Sequence, residues 1–101
     1  MGKRVLLATR DLLFRSKLGT VVAAAGGEIT KGEDACELAV IELEVAGAQE
    51  RIKTLVGRGI PVLAFGSHVK VEQLRSAREA GAVAVPNSQV EEALRDLLSR
   101  A

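Results

Sequence analysis

Short apolar runs alternate with segments of helical period along this chain of 101 residues. Five runs predict strands, and they cover residues 5–8, 28–30, 38–43, 60–65 and 83–85. Between them, apolar side chains recur at helical spacing and predict helices that begin near residues 11, 48, 71 and 88. The third run is apolar without a break from Leu38 to Ile41, which indicates a strand that is covered on both faces.

Strands and helices that alternate in this way predict a single α/β domain over residues 1–101, with helices on both faces of a parallel sheet. One interval does not follow the alternation. Only Lys31–Glu37 separates the second strand from the third, whereas a crossover with its helix normally takes at least about ten residues. We therefore expect a loop or a single helical turn in place of the second helix.

Residues at the helix ends supply further local predictions. Gly26 and Gly27 follow the last apolar positions of the first helix and should end it. Asp11 precedes the same helix and suits its N-cap. Ser88 and Glu91 have the spacing of a capping box, which predicts the start of the last helix.

The charges nearly balance, but they are unevenly distributed. The net charge of +1 is too small to indicate a nucleic-acid or membrane partner. Residues 1–26 sum to +4, residues 27–50 to −6 and residues 51–101 to +3. Segregated charge of this kind either orients a partner or forms an ordinary solvated surface. The same two interpretations apply to Arg15 and Lys17, which the first helix presents either to an acidic partner or to water.

Residues with reactive side chains are few. Cys36 is the only cysteine, which excludes a disulfide framework, and we expect a small buried or half-buried side chain there. Ser67 and His68 are neighbours in the predicted loop after the fourth strand, but adjacent loop residues rarely direct their side chains at each other. No phosphate-binding glycine motif is present. The sequence therefore predicts no catalysis, no metal and no cofactor.

The lengths of the apolar segments predict the location of the protein. No run approaches the length of a membrane span. The four apolar residues after Arg4 are too few for a signal peptide. We therefore expect a cytoplasmic protein.

Three segments of the chain resemble the receiver domain of bacterial response regulators. Leu38–Gly47 is similar to its third strand, Ile60–Val69 to its fourth strand with the following loop, and Gly81–Val90 to its Gly-Ala-led fifth strand. The order and spacing of the predicted elements are similar over nearly the whole chain. The resemblance implies a flavodoxin-like sheet in the order 2-1-3-4-5, whose first and third strands diverge at the usual ligand-binding point.

Receivers accept phosphate on an aspartate at the end of the third strand, and the resemblance places Glu42 at that position. Two acidic residues after the first strand help to hold Mg²⁺ in the family. Here they are replaced by Thr9 and Arg10, with Asp11 as an adjacent acid. A hard cation needs clustered oxygen ligands, and Arg10 instead brings a positive charge.

The two remaining family positions also differ. A threonine or serine ends the fourth strand of a receiver, and the matching residue here is Gly66, with Ser67 one step further. A lysine ends the fifth strand, and its position falls at about Ser88. The resemblance therefore implies a vestigial site that lacks the phosphorylation residues.

Arg10 and Glu42 suggest a substitute for the missing metal. Both are expected at the carboxyl ends of neighbouring strands, where a guanidinium can occupy the space of the cation and pair with the carboxylate. The alternative is that each side chain extends into water and contributes well under ~1 kcal/mol.

The resemblance implies a non-phosphorylatable signalling or protein-interaction module rather than an enzyme. In receivers, the face formed by the fourth helix, fifth strand and fifth helix often makes dimers or binds effectors. The residues expected on that face are Lys70, Arg75, Arg78, Glu91 and Arg95. The alternative function is binding of a small anionic ligand at the strand ends, above Thr9, Arg10, Gly66 and Ser88.

Overall fold

Residues 3–100 are described by a computed structural model, in which five strands alternate with four α-helices and two 3-10 turns. The strands are β1 (Arg4–Ala8), β2 (Glu28–Thr30), β3 (Leu38–Glu42), β4 (Val62–Gly66) and β5 (Val83–Pro86). The helices are α1 (Leu12–Ala24), α2 (Ala48–Gly57), α3 (Val71–Glu79) and α4 (Val90–Ser99). The 3-10 turns are Glu33–Ala35 and Asn87–Gln89.

The strands form one parallel sheet in the order β2-β1-β3-β4-β5, which confirms the predicted order. β1, β3 and β4 are the inner strands, and β3 is buried from Leu38 to Ile41, as its unbroken apolar run predicts. Ala8 is paired with Ile41. The residues that follow this pair, Thr9 and Glu42, therefore meet at the carboxyl edge of the sheet.

Each face of the sheet has its own apolar core. α1 and α4 cover one face, and their side chains pack around Phe65 and Leu63. α2 and α3 cover the other face, where Ile52, Leu55 and Leu74 are buried. The predicted three-layer α/β arrangement is thus confirmed.

α1 begins and ends as its flanking residues predict. The Asp11 carboxylate accepts hydrogen bonds from the amides of Leu13 and Phe14 at 2.8 and 3.2 Å, so Asp11 is the N-cap. Gly26 has φ +80°, a left-handed conformation that suits glycine after a helix. A Cβ on Gly27 would lie 2.8 Å from the Lys3 carbonyl oxygen, so glycine lets β2 start directly beside β1.

The crossover between β2 and β3 contains the single 3-10 turn Glu33–Ala35, which confirms the predicted loss of the second helix. Arg51 Nε of α2 donates to Glu33 Oε2 at 2.9 Å, and Arg58 Nη2 donates to the Glu33 carbonyl oxygen at 3.3 Å. Cys36 is buried beneath this turn, as predicted, and its Sγ lies 3.2 Å from the same carbonyl oxygen. Burial raises the pKa of the Cys36 thiol.

The capping box predicted for the last helix is wrong. Ser88 lies inside the 3-10 turn that follows Pro86, and α4 begins two residues later, at Val90. No side chain caps α4. The Glu91 carboxylate instead forms ion pairs, with Oε1 3.9 Å from Lys17 Nζ of α1 and Oε2 3.7 Å from Arg95 Nη2. The extra turn displaces the helix start, a shift that residue spacing alone does not reveal.

Over residues 3–100, no helix combines the length and the apolar composition that crossing a bilayer requires.

Candidate functional site

The candidate site lies at the carboxyl edge of the sheet, where β1 and β3 end. Thr9 is 7% exposed, and its Oγ1 donates a hydrogen bond of 2.7 Å to Glu42 Oε1. The same hydroxyl oxygen accepts a bond from the Asp11 amide at 3.1 Å. The hydroxyl therefore joins the end of β3 to the loop that leads into α1.

The expected ion pair between Arg10 and Glu42 is wrong. Within the described residues, no nitrogen of the Arg10 side chain comes within 4.0 Å of the Glu42 carboxylate. The backbone amide of Arg10 approaches instead and donates to Glu42 Oε1 at 3.0 Å. Two neutral donors thus hold the carboxylate, and the exposed guanidinium keeps its hydration.

The adjacent acid is directed away from Glu42. Asp11 Oδ1 caps α1 through the amides of Leu13 and Phe14. Arg15 Nη2 then donates to the Thr9 carbonyl oxygen at 3.2 Å, which ties the first turn of α1 to the end of β1. The loop therefore directs the Asp11 carboxylate at the helix and leaves Glu42 as the carboxylate over the sheet edge.

A leucine that the sequence analysis did not single out fills the next position along the edge. Leu43 is buried, and a Cβ on Gly66 would lie 3.3 Å from Leu43 Cδ1. A Cβ atom at Gly66 would thus be in tight contact with Leu43, so Leu43 takes the space that a side chain at Gly66 would need. The apolar run that continues past Glu42 was the available signal in the sequence.

The two serines of the predicted site lie apart from Glu42 in the hydrogen-bond network. Ser67 Oγ accepts a bond of 3.3 Å from the Val69 amide within its own loop. Ser88 is exposed in the turn before α4. His68 is also exposed, as expected for a surface residue after β4. Of the predicted site residues, Thr9 and Arg10 therefore bind Glu42 directly, and Asp11 joins them through the hydrogen bond from its amide to Thr9.

Metal-binding residues do not cluster in the part of the chain that the structure describes. No group of three or more His, Cys, Asp or Glu side chains is placed to hold an ion there. At the sheet edge itself, the groups that flank Glu42 are a hydroxyl that donates and a backbone amide. This set of donors suits a carboxylate rather than a hard cation.

The residues of the predicted interaction face divide into two groups. Lys70 and Arg75 are exposed at the start of α3 and on its surface, and Arg75 pairs with Glu72 at 3.2 Å. Arg78 donates through Nε and Nη2 to the Ala84 carbonyl oxygen of β5, at 3.2 and 2.8 Å. Arg78 therefore binds α3 to the edge strand.

Glu91 and Arg95 lie on the side of α4 that faces α1. Glu91 pairs with Lys17 of α1, and Arg95 lines a cavity with Val21 and Ala24 of the same helix. These two residues are thus turned away from α3, and the exposed cations beside β5 are those of α3.

Searches with protein-family models and against curated proteins return no match. Solved structures do match. A response regulator receiver protein from Pseudoalteromonas atlantica superposes with a TM-score of 0.78 at 17% identity, over 96% of this chain and 94% of the other. This chain has the receiver fold.

Two further structures extend the comparison. The BeF3-activated DrrB receiver domain gives a TM-score of 0.82 at 17% identity, over 99% of this chain and 97% of that domain. NtrX from Brucella abortus gives 0.80 at 17% identity over the whole of this chain, which spans only 27% of the NtrX chain. This chain therefore corresponds to one whole domain in the first comparison and to part of a longer chain in the second.

Proposed function

We propose that this receiver-fold chain is a signalling module that acts through protein contacts and does not accept phosphate. The observation that supports this is the environment of Glu42. Its Oε1 accepts hydrogen bonds from Thr9 Oγ1 at 2.7 Å and from the Arg10 amide at 3.0 Å. Protein groups alone therefore bind the β1–α1 loop to the end of β3.

Phosphoryl transfer also needs a cation beside the acceptor, and the surrounding residues favour its absence. Mg²⁺ requires several oxygen ligands in near-octahedral geometry. The Arg10 amide and the Thr9 hydroxyl already donate to Glu42 Oε1, and the Asp11 carboxylate is engaged at the start of α1. A divalent cation at this edge would have Glu42 as its one carboxylate ligand. Because a hard cation needs several oxygen ligands, it would bind only weakly there.

The first test is exposure to phosphodonors. The chain is incubated with Mg²⁺ and acetyl phosphate, or with beryllofluoride, beside a receiver domain that has the phosphoacceptor aspartate. We expect no change in intact mass and no saturable amide shifts near Glu42, whereas the control domain responds. A stoichiometric phosphoadduct, or saturable beryllofluoride shifts around Glu42, would contradict the proposal.

The contact surface we propose is the α3–β5–α4 face. Because the second helix is lost, α3 and α4 correspond to the fourth and fifth helices of receivers. β5 is an edge strand, and such strands offer unpaired backbone groups to a partner. Val83 of β5 is 46% exposed and Val71 of α3 is 55% exposed, and Lys70 and Arg75 add positive charge. This combination suits a protein partner with an acidic surface, or a second copy of the chain.

The second test reverses one charge on this face. Arg75→Glu replaces an exposed residue whose pair with Glu72 is at the surface, so the fold should be retained. Lys53→Glu is the matched control, because Lys53 forms an equivalent surface pair with Glu50 on α2. Sedimentation and affinity capture measure the contact.

We expect Arg75→Glu to weaken self-association or partner capture by about tenfold, which corresponds to ~1.4 kcal/mol. The Lys53→Glu control should match the wild type. Equal affinities for all three chains would count against this face, and a monomeric wild type that captures nothing would count against the interaction role.

The alternative, a small anion bound over the strand ends, has less support. The Glu42 carboxylate lies at the centre of that edge and repels an anion. Leu43 packs against Gly66 and takes up the space above it. The names of the solved relatives, which are response regulators and receiver domains, agree better with a signalling role.

A further inference from the structure

The sheet has a notch at its β2 edge. β2 ends at Thr30, which pairs with Leu6, while β1 continues to Ala8. The chain then turns away at Lys31 toward the 3-10 turn that Arg51 holds on α2. As a result, no described strand lies beside the last two residues of β1 on this side.

A cavity of about 410 Å³ occupies this notch, a size that falls in the range of small-molecule sites. It is lined by side chains of three kinds, aliphatic, cationic and hydroxyl. The lining residues are Leu6, Leu7, Arg15, Ile29, Thr30 and Lys31. An apolar floor with a few polar groups is typical of a binding pocket.

The two cations of the cavity lack acidic partners. Within residues 3–100, neither Arg15 nor Lys31 lies within 4.0 Å of a carboxylate. Lys17, two residues along α1, differs in this respect, because it pairs with Glu91. The cavity therefore contains two positive charges, from different elements, that pair with no carboxylate among the described residues.

The guanidinium of Arg15 is also held in place. Its Nη2 donates to the Thr9 carbonyl oxygen at 3.2 Å, which fixes it beside the end of β1. A guanidinium has five N–H donors, so this bond leaves others for a ligand. Lys31 lines the cavity from directly after the last residue of β2. Anion-binding groups thus approach the cavity from α1 and from the end of β2.

We propose that this cavity binds a small organic phosphomonoester. A phosphate ester carries a charge of about −1.5 to −2 at neutral pH, which balances both Arg15 and Lys31, whereas a monocarboxylate leaves one of them unbalanced. Arginine and lysine are the usual phosphate ligands in proteins. The organic part of the ligand would contact Leu7 and Ile29, which lie on the α1 side of the sheet.

This site does not depend on the proposed function. Neither Glu42 nor any residue of the α3–β5–α4 face lines the cavity. The signalling proposal and the ligand proposal therefore succeed or fail separately. The chain can bind a phosphomonoester here whether or not Glu42 is inert to phosphodonors.

Phenyl phosphate is the probe for the test, and amide shifts of the ¹⁵N-labelled full chain are the readout. We expect saturable shifts at Thr30, Lys31 and the first turn of α1, with a Kd of about 1 mM or tighter at low salt. Hexanoate, a monocarboxylate, should bind several-fold more weakly. Added salt should weaken the binding of phenyl phosphate, since both cations are exposed.

Two variants identify the cations, and a third is the control. Lys31→Gln and Arg15→Gln should each raise the Kd by about fivefold or more, a loss of roughly 1 kcal/mol. Lys31 lies in an exposed bend, so its variant tests the site without risk to the fold. Lys17→Gln removes a nearby charge of the same helix and should leave the Kd unchanged.

Several results would overturn the proposal. They are shifts that do not saturate up to about 20 mM phenyl phosphate, shifts centred on another part of the surface, or the same Kd in Lys31→Gln as in Lys17→Gln. Equal affinity for hexanoate and phenyl phosphate would overturn the assignment of the ligand as a phosphate ester.

Discussion

At the scale of single residues, Thr9 binds the Glu42 carboxylate with its side chain, a role that the sequence suggested for Arg10. Thr9 is nearly buried, and its hydroxyl donates to Glu42 and accepts from the Asp11 amide. A guanidinium that replaced these bonds would have to lose much of its hydration, and the net gain of such a pair is small. A short hydroxyl and a backbone amide satisfy the carboxylate at a lower cost.

Thr9→Val should therefore destabilise the protein. The substitution keeps the shape of the side chain but removes the donor to a charged group, a bond that contributes roughly 1.5–3 kcal/mol. We expect the free energy of unfolding in urea to fall by about that amount.

Thr9→Ser is the control for this prediction. It retains the hydroxyl and loses one methyl group, so its cost should stay near ~1 kcal/mol. If Thr9→Val were as stable as Thr9→Ser, the hydrogen bond to Glu42 would contribute nothing measurable.

At the scale of elements, the β2–β3 crossover is where the chain departs from its own alternation of strands and α-helices. A three-residue 3-10 turn covers Cys36 where the length of the connection excludes a helix. The turn has almost no core of its own, because none of its three residues is buried. Its position depends on α2, through the bonds from Arg51 and Arg58 to Glu33.

Arg51→Gln should loosen this turn with little change in global stability. The pair with Glu33 is about one-third exposed, at 31% and 35%, so its loss should lower the free energy of unfolding by no more than ~1 kcal/mol. Local opening should expose the Cys36 thiol and increase its rate of labelling by iodoacetamide several-fold.

Lys53→Gln serves as the control, since Lys53 lies on the same helix and pairs with Glu50 instead of the turn. Its Cys36 should be labelled at the wild-type rate. Equal labelling rates in both variants would show that the Arg51–Glu33 pair does not hold the turn.

At the scale of the whole molecule, some of the charged side chains form ion pairs with each other, and others have no partner of opposite charge among the described residues. On α4, Glu91 is balanced by Lys17 and Arg95. At the β2 edge, Arg15 and Lys31 face a cavity without an acidic partner among the described residues. Two separate surfaces thus combine exposed positive charge with apolar contact area, the α3–β5–α4 face and the notch beside β2. They suit partners of different size, a protein and a small phosphate ester.

The α/β class and several local features followed from the sequence by itself, whereas the strand order came from the resemblance to receivers. The unbroken apolar run Leu38–Ile41 specifies a strand buried on both faces, because a half-exposed strand would alternate. The short segment Lys31–Glu37 excludes a crossover helix by length alone. Asp11 and Gly26 specify the ends of α1, since capping depends on local backbone groups. These are properties of periodicity, length and nearest neighbours.

Only the tertiary structure decided which groups meet. Whether Arg10 meets Glu42 through its side chain or its amide depends on the path of the β1–α1 loop. The bonds of the Thr9 hydroxyl to Glu42 and to the Asp11 amide hold that path. The position of Ser88 depends on the 3-10 turn after Pro86, which displaces the start of α4. Contacts of this kind join residues far apart in sequence over a few ångströms, and a shift of one residue in a loop exchanges one partner for another.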